Sequence, residues 1–422
     1  MENPTMLEFS DAPYQFFEAK PNRFIIWLTR QVNQRFILGG KSLQIKEVRI
    51  EGHTNAVREA QSRGERLLFV ANHPSHSDPQ TVTELHRQLG IDSCFMAAYD
   101  IFLRSKCQGW LMQRFGNFSI DREGSDRKAM SAAIEILKTG RQSLTIFPEG
   151  NVYLTNDRVT PFLEGTAFIA LKAQAAIQET PLKIVPVSLK YTHLTTPRES
   201  ITQRMMQLAE DSGFSFPDGS RGRPIGSVLG LGQHIMHRYL QEHGYSDTDR
   251  NADEAPYDSL KNFTNHLVDE LEASLSLEAR ESIALIDRIR KIRSTIHQLR
   301  INESGEPHPR INGLADKAIL TFRVYRYLTP YLTEHPTIDR YDETVERVSE
   351  DFYSKAVPRT GPRRALLKVG EPLDVQQYLR QAGGKARMAM GKITADMESA
   401  VQDGVDELNA SNDAPGATMI SD

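Results

Sequence analysis

The sequence predicts an α/β protein, a mainly parallel sheet flanked by helices, and three observations predict it. Short apolar runs such as "RLLFVAN" (66–72), "SLTIFPEG" (143–150) and "LKIVPVSLKY" (182–191) read as buried strands. Helical stretches alternate with them. The polar residues cluster just after the runs, where the carboxyl ends of parallel strands place ligands.

The elements follow in order. Residues 1–62 are expected to form an N-terminal helical region, and 63–195 the α/β core. From Lys20 to Lys46 the chain carries Lys20, Arg23, Arg30, Arg35, Lys41 and Lys46 and no acidic residue. Phe24, Trp27, Leu28, Val32, Phe36 and Ile37 recur there at helical spacing. Such a helix can lie in a membrane interface, its cations meeting anionic headgroups. It can equally be an amphipathic helix packed on the core. In the core, "PQTVTELHRQLG" is a helix closed by Gly90, "SCFMAAY" a strand, "SDRKAMSAAIEILKTG" (125–140) a helix, and "GTAFIALKAQAA" another.

After Tyr191 strand signals nearly vanish. "SFPDGSRGRPIGSVLGLG" (215–232) reads as a glycine-rich, turn-prone link within a helical insertion spanning 196–362. Its strongest helices run through Leu285, Ile289, Ile292, Ile296 and Leu299, and through Ile338, Tyr341, Val345, Val348 and Phe352. "RRALLKVGEPLDVQQYL" (363–379) is a late strand, turn and helix start, expected to rejoin the sheet within a 363–400 segment. Residues 401–422 are expected to be a tail ending in disorder, because "NASNDAPGATMISD" is small and polar.

Composition narrows the classes. A net charge of -4 over 422 residues argues against a nucleic-acid binder. The two cysteines, Cys94 and Cys107, form no disulfide or zinc pattern, which fits a reducing compartment. No run approaches the roughly 18 apolar residues that span a bilayer. Glu2, Glu8, Asp11 and Glu18 disfavour a signal peptide.

The stretch "ANHPSHSDPQ" (71–80) follows a buried strand. If the chain turns into a helix there, Asp78 can approach the imidazole of His73, fix its tautomer and raise its basicity. "S-D-P" also reads as a helix start, with Asp78 a cap and proline at the first turn. Both readings can hold at once, since a carboxylate has two oxygens. His73, His76 and Asp78 also suggest metal ligands, but the histidine spacing is one residue too long for an HxHxDH-type hydrolase, and no metal is expected. "GNFSIDR" (116–122) sets Arg122 after a short strand, "FPEG" (147–150) sets Glu149 in a tight turn, and "IVPVSLK" (184–190) carries Pro186.

Together these four blocks resemble the glycerophospholipid acyltransferase family, which includes the lysophosphatidic acid acyltransferases. The resemblance runs from Arg66 to about Tyr191, and "VGEPLDV" resembles the strand that closes the family's catalytic domain. It implies acyl transfer from acyl-CoA or acyl carrier protein to a hydroxyl of a lysophospholipid, with glycerol-3-phosphate the competing acceptor. His73 is then the general base and Asp78 its orienting partner. Arg122, Glu149, Gly150, Gly116 and Pro186 shape the acceptor site, while Asn72, Ser75 and His76 line the pocket. No cofactor beyond the thioester co-substrate is implied. The chain departs from the family in "NVYLTNDR" after Gly150 and in Leu163 of "FLEG", where cations are usual; Arg158 is the nearest substitute. Backbone N–H groups near Gly150 are the expected oxyanion donors. A lipid substrate favours docking of residues 20–46 through Arg23, Arg30, Arg35 and Trp27, as a cytoplasmic protein peripheral on the inner face of a membrane. The insertion can cover an acyl channel, form a homodimer contact or bind an acyl carrier protein. Rivals from other classes are a non-catalytic membrane-bound scaffold and a metallohydrolase.

Overall fold

The computed structural model describes residues 14–124, 126–178, 180–217, 223–245, 256–278, 282–302 and 309–422. The expected helix at 125–140 thus has its first residue, Ser125, outside the described residues. Helix α1 (Arg23–Val32) runs into a π-helical turn at Asn33–Ile37, followed by β1 (Ile45–Gly52) and α2 (Thr54–Ser62). The core continues through β2 (Arg66–Ala71), α3 (Asp78–Leu89), β3 (Ser93–Ala98), α4 (Tyr99–Leu103), α5 (Lys106–Phe115) and β4 (Phe118–Ile120). Then come α6 (Arg127–Thr139), β5 (Ser143–Ile146), α7 (Gly165–Ile177) and β6 (Leu182–His193).

A run of helices follows: α8 (Arg198–Ser212), α9 (Pro224–Glu242), α10 (Pro256–Ser274), α11 (Leu285–Asn302), α12 (Pro309–Tyr325), α13 (Tyr331–Glu334) and α14 (Ile338–Tyr353). The chain returns as β7 (Arg363–Val369) and β8 (Leu373–Asp374), then ends with α15 (Val375–Gln381) and α16 (Ala386–Ala410).

The sheet order is β1-β7-β6-β2-β5-β3-β4, with β8 paired to β6. Strands β6, β2, β5, β3 and β4 run parallel, while β7 lies antiparallel to β6 and carries β1 parallel to itself. The late strand therefore inserts between the first strand and the core of the sheet. Alternation along β2 serves both faces. Leu68 and Val70 pack with Leu137, Ala170, Ile393 and Met397, and Leu67, Phe69 and Ala71 pack with Val57, Val82, Leu85 and Leu367.

Pro186 sits inside the central strand β6 without breaking it. Its carbonyl accepts from Gly370 N–H, so its donor-less side faces the turn between β7 and β8, where the pairing is already interrupted.

Four expectations need correction. The region assigned as helical at 1–62 contains a strand, β1, whose alternate residues pack on β7; residues 1–13 lie outside those described. The second half of the predicted glycine-rich link, from Pro224 on, is the start of the helix α9. Pro224 pre-sets its first turn, and Val228, Leu231 and Ile235 bury one face; 218–222 lie outside the described residues. The C-terminal tail is anchored. Met419 bridges to Thr337, and Asp422 accepts from the Ile225 and Gly226 amides at 2.7 and 2.9 Å, at the start of α9. Finally, Arg30 turns inward to Asp92 at 2.8 Å and is not available at the surface.

Among the described residues no helix is long and apolar enough to cross a membrane. Helix α1 and the π-helical turn after it nonetheless present apolar side chains outward, with Phe24 64%, Trp27 56% and Phe36 70% exposed. It packs beside α5, where Trp110 and Leu111 are exposed as well.

Candidate active site

The stretch 72–78 leaves the carboxyl end of β2 and enters α3. Asn72 fastens its start to β6, donating to the Leu189 carbonyl at 2.9 Å and accepting from the Leu189 N–H at 2.7 Å. His73 Nδ1 lies 2.7 Å from Asp78 Oδ2. The same oxygen accepts from Ser75 N–H at 2.9 Å, and Asp78 Oδ1 accepts from the Tyr191 hydroxyl at 2.6 Å. Asp78 caps no helix N–H; every partner holds it as an acceptor aimed at the imidazole. The helix start and the first-turn proline of "S-D-P" stand, with α3 beginning at Asp78 and Pro79 following it, and only the capping role is absent.

A carboxylate on Nδ1 puts the ring proton there and leaves the lone pair on Nε2. Among the described residues no protein group hydrogen-bonds Nε2. The ring stacks on Phe147 at 4.3 Å between centroids, and Phe147 stacks on Phe95, so its orientation is fixed by packing.

The "FPEG" segment follows β5 and meets the same loop. Glu149 Oε1 accepts the His73 backbone N–H at 2.6 Å and Oε2 the Thr160 N–H at 3.1 Å. Burial pushes the Glu149 carboxyl up to about 7, against these two backbone donors. Gly150 takes φ +80°, a left-handed conformation that favours glycine. Its N–H closes the turn on the Phe147 carbonyl at 3.1 Å, so that amide is engaged within the turn and is not presented as an oxyanion donor. Arg122 follows β4 and donates to Asn151 Oδ1 at 3.0 Å, with Asp100 3.8 Å away.

Other expected residues do not converge on His73. Gly116 terminates α5 at the amino end of β4, the opposite end from Arg122, in contact range of Gln142. Arg158 turns to the insertion, pairing with Glu334 and lying over the Tyr331 ring. His76 points to Glu350 of α14 at 3.1 Å, so the two histidines do not converge on one metal position. Pro186 lies within the sheet beside Val70.

The structure adds residues that the motifs did not single out. Tyr191, on β6, bonds both Asp78 and Thr81, and burial followed by the Asp78 charge raises its pKa well above the ordinary phenol value. Arg359 donates to Ser75 Oγ at 3.2 Å, and Arg363 to Ser77 Oγ at 3.1 Å while lying over the Tyr191 ring. From α11, Arg290 donates to the carbonyls of Glu149 and Pro161 at 3.1 and 3.0 Å. Arg293 and His297 bind Glu123 and Asp121, the neighbours of Arg122, both at 2.7 Å. The spacing 290, 293, 297 puts all three on one helix face, a signal present in the sequence but without meaning until the helix was placed.

The class this fold and site define is an α/β protein with an aspartate-oriented histidine at the carboxyl edge of its sheet. Residues 47–190 match the family model described as Acyltransferase. The match begins inside β1 and ends inside β6, so it takes in a strand that lies ahead of the 63–195 core. It supports acyl transfer as the activity. No curated protein matches the chain.

Proposed function

We propose that the chain moves a fatty acyl group from acyl-CoA or acyl carrier protein to a hydroxyl of a lysophospholipid, 1-acylglycerol-3-phosphate first among the acceptors and glycerol-3-phosphate second. The observation that carries this is the pairing of His73 Nδ1 with Asp78 at 2.7 Å, which leaves Nε2 as the base within an acyltransferase-family segment. Nε2 takes the hydroxyl proton, and the oxygen attacks the thioester carbonyl directly. The tetrahedral intermediate collapses with cleavage of the C–S bond, and the imidazolium returns the proton to the departing thiolate. Asp78 stabilises the imidazolium in between. Arg122 binds the acceptor's phosphate through its planar fork. The co-substrate is the thioester; no metal or redox group enters these steps.

The test is purified protein with labelled acyl-CoA and acyl carrier protein against a panel of acceptors, beside His73→Ala. A general base contributes about 10²–10⁴-fold, so turnover by the alanine variant near the wild-type rate would sink the mechanism.

The protein works as a cytoplasmic, peripheral enzyme on the inner face of a membrane. Supporting this, Phe24, Trp27 and Phe36 are exposed in a segment flanked by the exposed cations Arg23 and Arg35. Full-length protein should co-sediment with anionic vesicles at low salt, and Trp27→Glu should reduce the bound fraction several-fold. Equal binding of the two proteins would remove α1 from the contact.

A further inference from the structure

Helix α11 belongs to the insertion, yet its 290/293/297 face spans the two core loops around Arg122. At one end Arg293 and His297 hold Glu123 and Asp121, either side of Arg122 in the chain. At the other, Arg290 holds the carbonyl of Glu149, while Arg122 reaches the side chain of Asn151. Residues 149 and 151 flank Gly150, so the two arginines approach one turn from two elements.

Their charges are not equally balanced. Arg293 and His297 each meet a carboxylate of the core. Among the described residues Arg290 has its ion-pair partner in Asp287 of its own helix, and that carboxylate is half exposed. Its other nitrogen meets backbone carbonyls, which carry no net charge. Arg290 thus brings to the Gly150 turn a guanidinium whose carboxylate partner comes from its own helix and not from the core.

We propose that Arg290 is a substrate-binding residue of the acyl-transfer site, holding with Arg122 the phosphate monoester of the acceptor. This rests on the acyltransferase reading above. Glu149, on the same turn, is bonded to the His73 backbone N–H, which puts the turn beside the base. A glycerol-based acceptor carries its hydroxyl and its phosphate only a few atoms apart, so a cation at this turn can hold one while His73 deprotonates the other. The 3′-phosphate of coenzyme A is the other monoester in the reaction, and separate kinetic constants tell the two apart. The function of the insertion is then to complete the acceptor site.

The experiment measures KM and kcat for wild type, Arg290→Gln, Arg290→Lys and the double variant Arg290→Gln/Leu163→Arg. Leu163 is the chosen rescue position because its Cδ1 stands 3.0 Å from where a Cβ on Gly150 would be, and its side chain is partly exposed. Charge-assisted hydrogen bonds to phosphate predict a KM for the phosphorylated acceptor raised about 10- to 100-fold in Arg290→Gln. The KM for palmitoyl-CoA should stay within about twofold, as should turnover of monoacylglycerol, which lacks the phosphate. Arg290→Lys should fall between the two, and Leu163→Arg should recover part of the loss.

Equal losses on phosphorylated and neutral acceptors, with a lowered Tm, would reduce Arg290 to a fastener of the insertion. A rise confined to the KM for palmitoyl-CoA would move the cation to the donor and overturn the proposal. Wild-type protein inactive on every acceptor would instead overturn the acyltransferase reading itself.

Discussion

Two buried histidines of this protein, His73 and His193, stand at the carboxyl ends of neighbouring strands and pair with aspartates, but they differ in what their second nitrogen meets. His73 offers Nδ1 to Asp78 and keeps Nε2 clear. His193 offers Nδ1 to Asp339 at 2.9 Å and Nε2 to Asp342 at 3.2 Å. Burial works against a charge on His193, but the hydrogen bonds its ring N–H groups donate to Asp339 and Asp342 outweigh it and raise its pKa to about 9. An imidazolium at neutral pH has no lone pair to give. It fastens the end of β6 to α14 and, through Asp342, to Thr360 ahead of β7. The contrast shows that a His–Asp pair does not make a base. What the second nitrogen faces decides whether the group does chemistry or holds two segments together.

The sharpest break between them is kinetic. His73→Ala should lower kcat by about 10²–10⁴-fold without unfolding the protein. His193→Gln should leave kcat of the folded fraction within about tenfold of wild type. If His193→Gln abolished turnover with the fold intact by circular dichroism, the division of labour drawn here would fail.

The second test uses pH. A folded pKa raised above the ordinary value of 6.5 means stability that is fully present below about pH 6.5 and lost as pH rises through about 9. The loss for His193 is on the order of 3 kcal/mol, from a shift of about two and a half pH units. Wild-type Tm should therefore fall between pH 7 and 10, and His193→Gln, already lacking the charge, should start lower and fall less. Parallel curves for the two proteins would show that the clamp titrates elsewhere.

The same contrast explains what could be read from the sequence. His73 and Asp78 are five residues apart, on a strand end and a helix start, so their meeting follows from local geometry. The parallel strands were legible because their runs are apolar and short. His193 meets partners more than 140 residues away. Helix α14 buries Asp339, Asp342, Glu346, Arg347, Glu350 and Asp351, and the charge pattern that reads as a solvated face is its docking face. β1 carries the alternation of a half-buried edge strand only from Glu47 to Glu51, beside a basic helical pattern, and the strand it pairs with is supplied from residue 363 onward. The tail was missed for a related reason. Gly416 fits against His193 and Asp339 where no side chain has room, and smallness, which suggested disorder, is what lets it pack.

The smallest expected effect tests how the proposed catalytic pair is held. Tyr191→Phe removes the hydroxyl donor to Asp78 Oδ1 and leaves a buried carboxylate oxygen without that partner. An unsatisfied buried acceptor costs about 1–3 kcal/mol of stability. The rate should fall only a few-fold, because Ser75 N–H still holds the oxygen that faces His73. Asp78→Asn, by contrast, should cost about 10²-fold or more, since its amide no longer secures the right tautomer. Tyr191 acts on the rate through Asp78, so adding Tyr191→Phe to Asp78→Asn should cost little further kcat. Additive losses in that double variant would mean that the phenol reaches the substrate itself, and that the base is supported by fewer groups than its hydrogen bonds suggest.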